Sequence, residues 1–122
     1  MSHRARSTAE VFDFYGLTIC ELTPDGMTRA SVAEILVPPD AAHPQARSVK
    51  SDKLYVGLSG EVVFDLEDGA VRLAAGDTLA IACGHWFAYA NHTDQGARLL
   101  LVHVPPFDLD AEEFAPDAGP PA

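Results

Sequence analysis

The chain has 122 residues, 48% of them apolar, and its 18 acidic against 8 basic residues give a formal charge of −10. That length holds one domain with one core, the apolar content excludes a disordered chain, and no run nears the ~20 apolar residues of a membrane span. The acidic excess repels phosphate backbones, so nucleic acid is not an expected partner, and without a spanning run neither is a membrane.

Residues 1–8 are small and polar, with basic residues but no apolar stretch behind them. They read as an unstructured leader and not as a secretory signal, which makes the cytoplasm the expected compartment. Ala9 to Tyr15 is aromatic-rich and fits either an edge strand or one helical turn, so 1–15 is set apart as a leader and edge segment. Residues 16–108 read as one barrel and 109–122 as a C-terminal tail. Leu17 to Leu22 and Met27 to Val37 are predicted strands joined at Pro24-Asp25-Gly26, where Pro presets φ, Asp tolerates the turn and Gly takes positive φ. Pro38-Pro39 ends the second strand, and a loop follows that leads into another strand. Lys53 to Leu58, Glu61 to Leu66, Thr78 to Cys83 and Phe87 to Ala90 are further strands, punctuated by turns around Gly60, Gly69 and Gly76 and by a Gly84-His85-Trp86 corner. Ala97 to Val104 is almost continuously apolar and reads as a strand buried on both faces. Pro105-Pro106 stops it, and Asp108 to Phe114 suggests one helical turn with acids at its start. The pattern is that of an all-β jelly roll. Cys20 and Cys83 lie far apart without metal-type spacing and are read as buried thiols.

Gly76, Gly84 and Asn91 keep the spacing of the second cupin motif, G-x5-P-x-G-x2-H-x3-N, and Gly60 supplies the glycine that closes the first. Over roughly residues 28–107 the chain resembles a small single-domain cupin, which implies a cupin-type jelly-roll β-barrel. Cupins hold a metal ion with His-x-His, a Glu and a later His. At the corresponding positions this chain has Arg47 and Val49 (or Ala46 and Ser48), then Lys53, then Phe87, and the motif proline is Ala82. Neither a metal nor another cofactor is therefore expected. A displaced metal site built from His43, His85, His92 or His103 has no paired spacing to support it.

The resemblance points Lys53 into the barrel, where desolvation would lower its pKa and equip it as a general base or Schiff-base amine. The plainer reading is a solvated lysine, or one paired with an inward carboxylate such as Glu34. Tyr55 and Tyr89 share the alternating registers of Lys53 and Phe87, and so face inward as donors or simply as packing. His85 and Trp86 stand at the corner, where they stack on a substrate ring or close the barrel end. His103, on a face with Leu99 and Leu101, is a satisfied core residue or an acid–base partner. The candidate catalytic set is Lys53, Tyr55, His85 and His103; Tyr89, Phe87, Trp86, Ser48 and Glu34 are the candidate substrate-binding set. Phe12, Phe14 and Phe107 read as core or interface. Three functions fit: a metal-independent enzyme of isomerase, lyase or cyclase type acting on a small organic substrate, a non-catalytic small-molecule binder, and a dioxygenase-type metalloenzyme with an atypical ligand set. The outward row Leu54, Val56 and Leu58 requires cover, and a homodimer would supply it.

Overall fold

The structure, a computed structural model, describes residues 1–116. Turn chemistry and period-two burial divide them into eleven strands: β1 Val11–Phe14, β2 Leu17–Glu21, β3 Ser31–Val37, β4 Ala42–Ser48, β5 Asp52–Ser59, β6 Glu61–Leu66, β7 Gly69–Ala74, β8 Thr78–Ile81, β9 Phe87–Ala90, β10 Ala97–Val104 and β11 Glu112–Phe114. They form two antiparallel sheets, ordered β1-β2-β3-β10-β5-β8 and β11-β4-β9-β6-β7. The all-β jelly roll is what forms. Among the described residues no helix is long and apolar enough to cross a membrane.

The core lies between the sheets and follows from alternation. In β5, Lys53, Tyr55 and Gly57 are buried, while Leu54 and Leu58 on the opposite face are 39% and 38% exposed. In β10, Leu99, Leu101 and His103 are buried, and the antiparallel register sets His103 opposite Lys53 and Leu101 opposite Tyr55. Phe64 of β6 and Phe87 and Tyr89 of β9 close the core from the second sheet.

Two of the glycines have demonstrable steric reasons. A Cβ on Gly57 would stand 2.2 Å from the Ala74 carbonyl oxygen, so only glycine lets β7 end against β5. Gly60 turns at φ +66°, and its Cβ would meet the Gly96 oxygen at 2.8 Å. Asn91, fully buried, earns its place in the motif as a turn organiser: its amide donates to the Val37 and Gln95 carbonyls at 2.9 and 2.7 Å, and its oxygen accepts from Thr93.

Several expectations need correcting. The segment 9–15 resolves as an edge strand, β1, joined to β2 through Tyr15-Gly16, both at positive φ as a two-residue hairpin requires. β3 begins at Ser31 and not at Met27, because Thr23 Oγ1 accepts from the Val32 amide at 2.9 Å and widens the turn. A strand, β4, forms where a loop was expected; a register shift between His43 and Ala46 against β9 absorbs Pro44. Beyond residue 108 the helical turn is confined to a 3-10 turn at Leu109–Ala111, with the Asp108 carboxylate accepting from the Asp110 amide. β11 follows and pairs with β4, so the sheets run from Val11 to Phe114, past both expected boundaries. The rest of the expected tail, 117–122, lies outside the described residues. The leader is bound to the barrel: Arg4 Nε donates to the Thr23 carbonyl at 2.7 Å, and Arg6 Nη2 lies 2.5 Å from Glu34 Oε1. Both cysteines are free; Cys20 is buried as expected, but Cys83 is exposed because β8 ends at Ile81 and leaves it in the corner.

Candidate active site

Between the sheets lies a cavity of about 380 Å³ with a largely apolar wall. Its inner wall carries Lys53 and Tyr55 from β5 and His103 from β10, neighbours because the register places them so. β4 contributes His43 and β11 contributes Glu112. Phe14 stands near both His43 and Phe114, with Phe107 packed edge-on against His103.

Lys53 Nζ sits 2.7 Å from Glu112 Oε1 and 2.9 Å from His103 Nε2, and 5.3 Å from the centre of the Phe87 ring. The lysine and glutamate side chains are only 4% and 7% exposed. Burial lowers the lysine pKa, opposed by the charge and hydrogen bond of Glu112. Burial, and then the Lys53 charge, push His103 down to about 3, so its ring is neutral and Nε2 accepts from the ammonium. His43 is pushed down to about 4, chiefly by burial and further by Lys53, against the opposing effect of the Pro44 carbonyl. Its Nδ1 donates to that carbonyl at 2.7 Å, which leaves the lone pair on Nε2. The ring stacks on Tyr89 at 5.0 Å and lies 5.1 Å from Phe87 and 5.3 Å from Phe14. Burial raises the pKa of Tyr55 and of Tyr89, so both phenols keep their protons. Two buried polar atoms here, Glu112 Oε2 and the Tyr89 hydroxyl, have no partner among the described residues.

Of the predicted residues, Lys53, Tyr55 and His103 come together on the cavity wall, with Phe87 and Tyr89 in the core against them. The other four do not join them. His85 is exposed and pairs with Glu67 at 2.6 Å, and the Trp86 ring lies 4.6 Å below the Arg47 guanidinium. The Ser48 hydroxyl is spent on the β4–β5 turn, accepting from the Ser51 amide at 2.8 Å. Glu34 points to the opposite face of β3 from Ala33 and Ile35, where Arg6 and Arg98 neutralise it. It is therefore not the partner of Lys53. Two residues were missed. His43 was hidden by Pro44, which breaks the strand signal; Glu112 sat in the segment set aside as tail, and its acidic residues alone do not announce a strand. Phe14, Phe107 and Phe114 line the cavity as well.

A cupin metal does not fit these residues. The Lys53 ammonium occupies the space between the His103 and Glu112 donors, and Phe87 offers no lone pair. Among the described residues no three His, Cys, Asp or Glu side chains converge as a metal requires.

The family model for the cupin domain matches residues 33–103. The chain belongs to the cupin family. Structures of Streptomyces Pac13, described as a nucleoside dehydratase, resemble this cupin with a TM-score of 0.79 at 21% identity, covering 91% of this chain and 88% of that one. Some hold uridine, in variants where a histidine is changed to glutamine or a tyrosine to phenylalanine. The polyketide cyclase RemF of Streptomyces resistomycificus follows with a TM-score of 0.75 at 19% identity, covering 85% and 79%. A sugar phosphate isomerase of the cupin superfamily from Silicibacter pomeroyi has 0.65 at 18%, covering 85% and 80%. At these identities the likeness is one of fold. No curated protein matches the chain.

Proposed function

We propose that this cupin is a metal-independent acid–base enzyme acting on a small organic carbonyl compound, as a lyase that eliminates water or a cyclase that closes a ring. The observation that carries this reading is the Lys53 ammonium held between Glu112 and His103 on an apolar wall, with a neutral imidazole, His43, in the same cavity. Both reactions require a base that takes a proton beside a carbonyl and a cation that stabilises the oxygen as charge develops on it. His43 Nε2 is the base and the Lys53 ammonium faces the oxyanion. In the elimination, the C–H electron pair passes into the enolate and then forms the double bond as the C–O bond breaks. The proton on His43 goes to the departing hydroxyl, which leaves as water. Tyr55, kept protonated, serves as a donor to the substrate. His103 positions Lys53, as does Oε1 of Glu112.

Fold likeness to a nucleoside dehydratase and a polyketide cyclase is in keeping with this reaction class, but fold alone does not assign function, and the reading rests on the cavity residues. Altered histidine and tyrosines in uridine-bound Pac13 fit the same picture, for this cavity joins His43 to Tyr55 and Tyr89. The test is hydrogen–deuterium exchange, followed by proton NMR, at the carbon beside the carbonyl of simple β-hydroxy ketones. Chelator-treated protein is expected to catalyse it, and His43→Gln and Lys53→Met to lose it. Exchange that requires an added divalent ion, or survives both substitutions, overturns the proposal. Binding of these ketones without any exchange would favour a non-catalytic binder. We place a second copy of the chain over the exposed Leu54 and Leu58 row, and the free thiols are in keeping with a reducing cytoplasm.

A further inference from the structure

We infer that the cavity selects an uncharged planar ring compound carrying an O–H or N–H donor at its edge, and rejects phosphorylated or carboxylated analogues. This rests on the cavity being the active site, as proposed above, and adds the class of molecule it takes.

Three observations lead to it. The first is charge. Among the described residues one cation, Lys53, lines the cavity; Glu112 matches its charge, so the N–H it turns to a developing oxyanion leaves no net charge for a permanent anion, Glu21 adds a second carboxylate, and no arginine lines the wall. An anionic group arriving there meets no free counter-charge, loses its water and faces a chain of formal charge −10. The second is shape. The Phe14 ring stands 5.3 Å from His43 and 5.9 Å from Phe114 at tilts of 42° and 38°, and with Phe107 on the same wall these rings offer faces to a flat guest. The volume of about 380 Å³ suits a molecule of two or three fused rings or a nucleobase with its sugar. The third is an unpaired acceptor. Glu112 is 93% buried by its side chain, Oε1 is held by Lys53, and Oε2 has no partner among the described residues. A buried carboxylate oxygen without a donor is costly, and a substrate hydroxyl or N–H relieves that cost. Glu112 thus acts through both oxygens: one holds the catalytic lysine, the other reads the substrate.

Calorimetric titration of the full chain tests this with two probe sets: naphthol, methoxynaphthalene and naphthoate, and uridine with uridine 5′-phosphate. The neutral donor-bearing member of at least one set is expected to bind, and the set that binds tells carbocycle from nucleobase. Its anionic counterpart should bind at least about tenfold more weakly, and so should methoxynaphthalene relative to naphthol. These comparisons use the unaltered protein and do not depend on any variant folding. In Glu112→Gln the side chain can present an N–H where Oε2 stood, so the preference for naphthol over methoxynaphthalene should shrink or reverse, whereas a merely structural role would weaken both alike. Binding of neither neutral probe, equal or tighter binding of an anion, or an unchanged preference in Glu112→Gln overturns the inference. Because binding is read without turnover, it can stand while the proton-exchange experiment fails, and the reverse also holds.

Discussion

At the scale of single residues the molecule is organised by a buried cation and the groups that answer it. Removing one member of such a pair is far costlier than replacing both, because the survivor keeps its charge without its partner. Lys53→Met is therefore expected to lower unfolding free energy by about 3–5 kcal/mol in urea titrations. The double variant Lys53→Met with Glu112→Leu should recover most of that while remaining inactive. A double variant no more stable than the single one would refute the pairing. The histidines give a second expectation, with its sign set by burial. His43 and His103 titrate at about 4 and about 3 in the fold, below the ordinary value near 6.5. Their contribution is fully present above about pH 6.5 and is lost as the pH falls toward those values, since the unfolded chain then binds the extra protons. Urea midpoints should decline between about pH 6 and pH 4, at up to roughly 1.4 kcal/mol per pH unit for each ring, and His43→Phe should shallow the slope.

At the scale of strands, the two ends of the chain complete the site. β1 brings Phe12 and Phe14 to the cavity, and β11 brings Glu112 and Phe114. Deleting residues 109–122 removes the carboxylate that holds Lys53, so the shortened chain is expected to lose cavity binding in calorimetry and to unfold at lower urea. Gly57→Ala is a sharper probe: its methyl would lie 2.2 Å from the Ala74 carbonyl oxygen, which belongs to backbone and cannot swing aside. We expect a loss of several kcal/mol or failure to fold, measured by urea titration, and near-neutral behaviour would contradict the strand packing. The same strands show what a sequence does and does not display. Alternation in β5 and the punctuation at Gly60, Gly76 and Gly84 are local, so the barrel and the two faces of β5 were legible, while the inward sense of Lys53 and Tyr55 came from the cupin resemblance, since alternation alone would have buried the apolar Leu54, Val56 and Leu58 row. The carboxylate that pairs with Lys53 stands 59 residues away in a three-residue strand too short to leave a periodic signal. Pro44 disguised β4 in the same manner, and with it His43. His85 and Trp86 were misplaced because a corner has no alternation from which to read direction.

At the scale of the whole molecule, the six-stranded sheet leaves Leu54, Leu58 and Val104 exposed on its outer face. If a second copy covers this row, sedimentation equilibrium will report two chains, and Leu54→Glu with Leu58→Glu will reduce that to one without changing naphthol binding. A single chain in the unaltered protein rules the dimer out. Charge shapes the same outer face two strands away, on β3. The side chain of Glu34 is 4% exposed and is neutralised from above by Arg6 and Arg98, with Arg4 fastened to Thr23 and Asp25 nearby. The first residues therefore act as a plug over a hidden carboxylate. A purification handle fused ahead of Met1 that tugs Arg6 away would strand half of that counter-charge, and the tagged protein should melt earlier than the same chain with the handle cleaved.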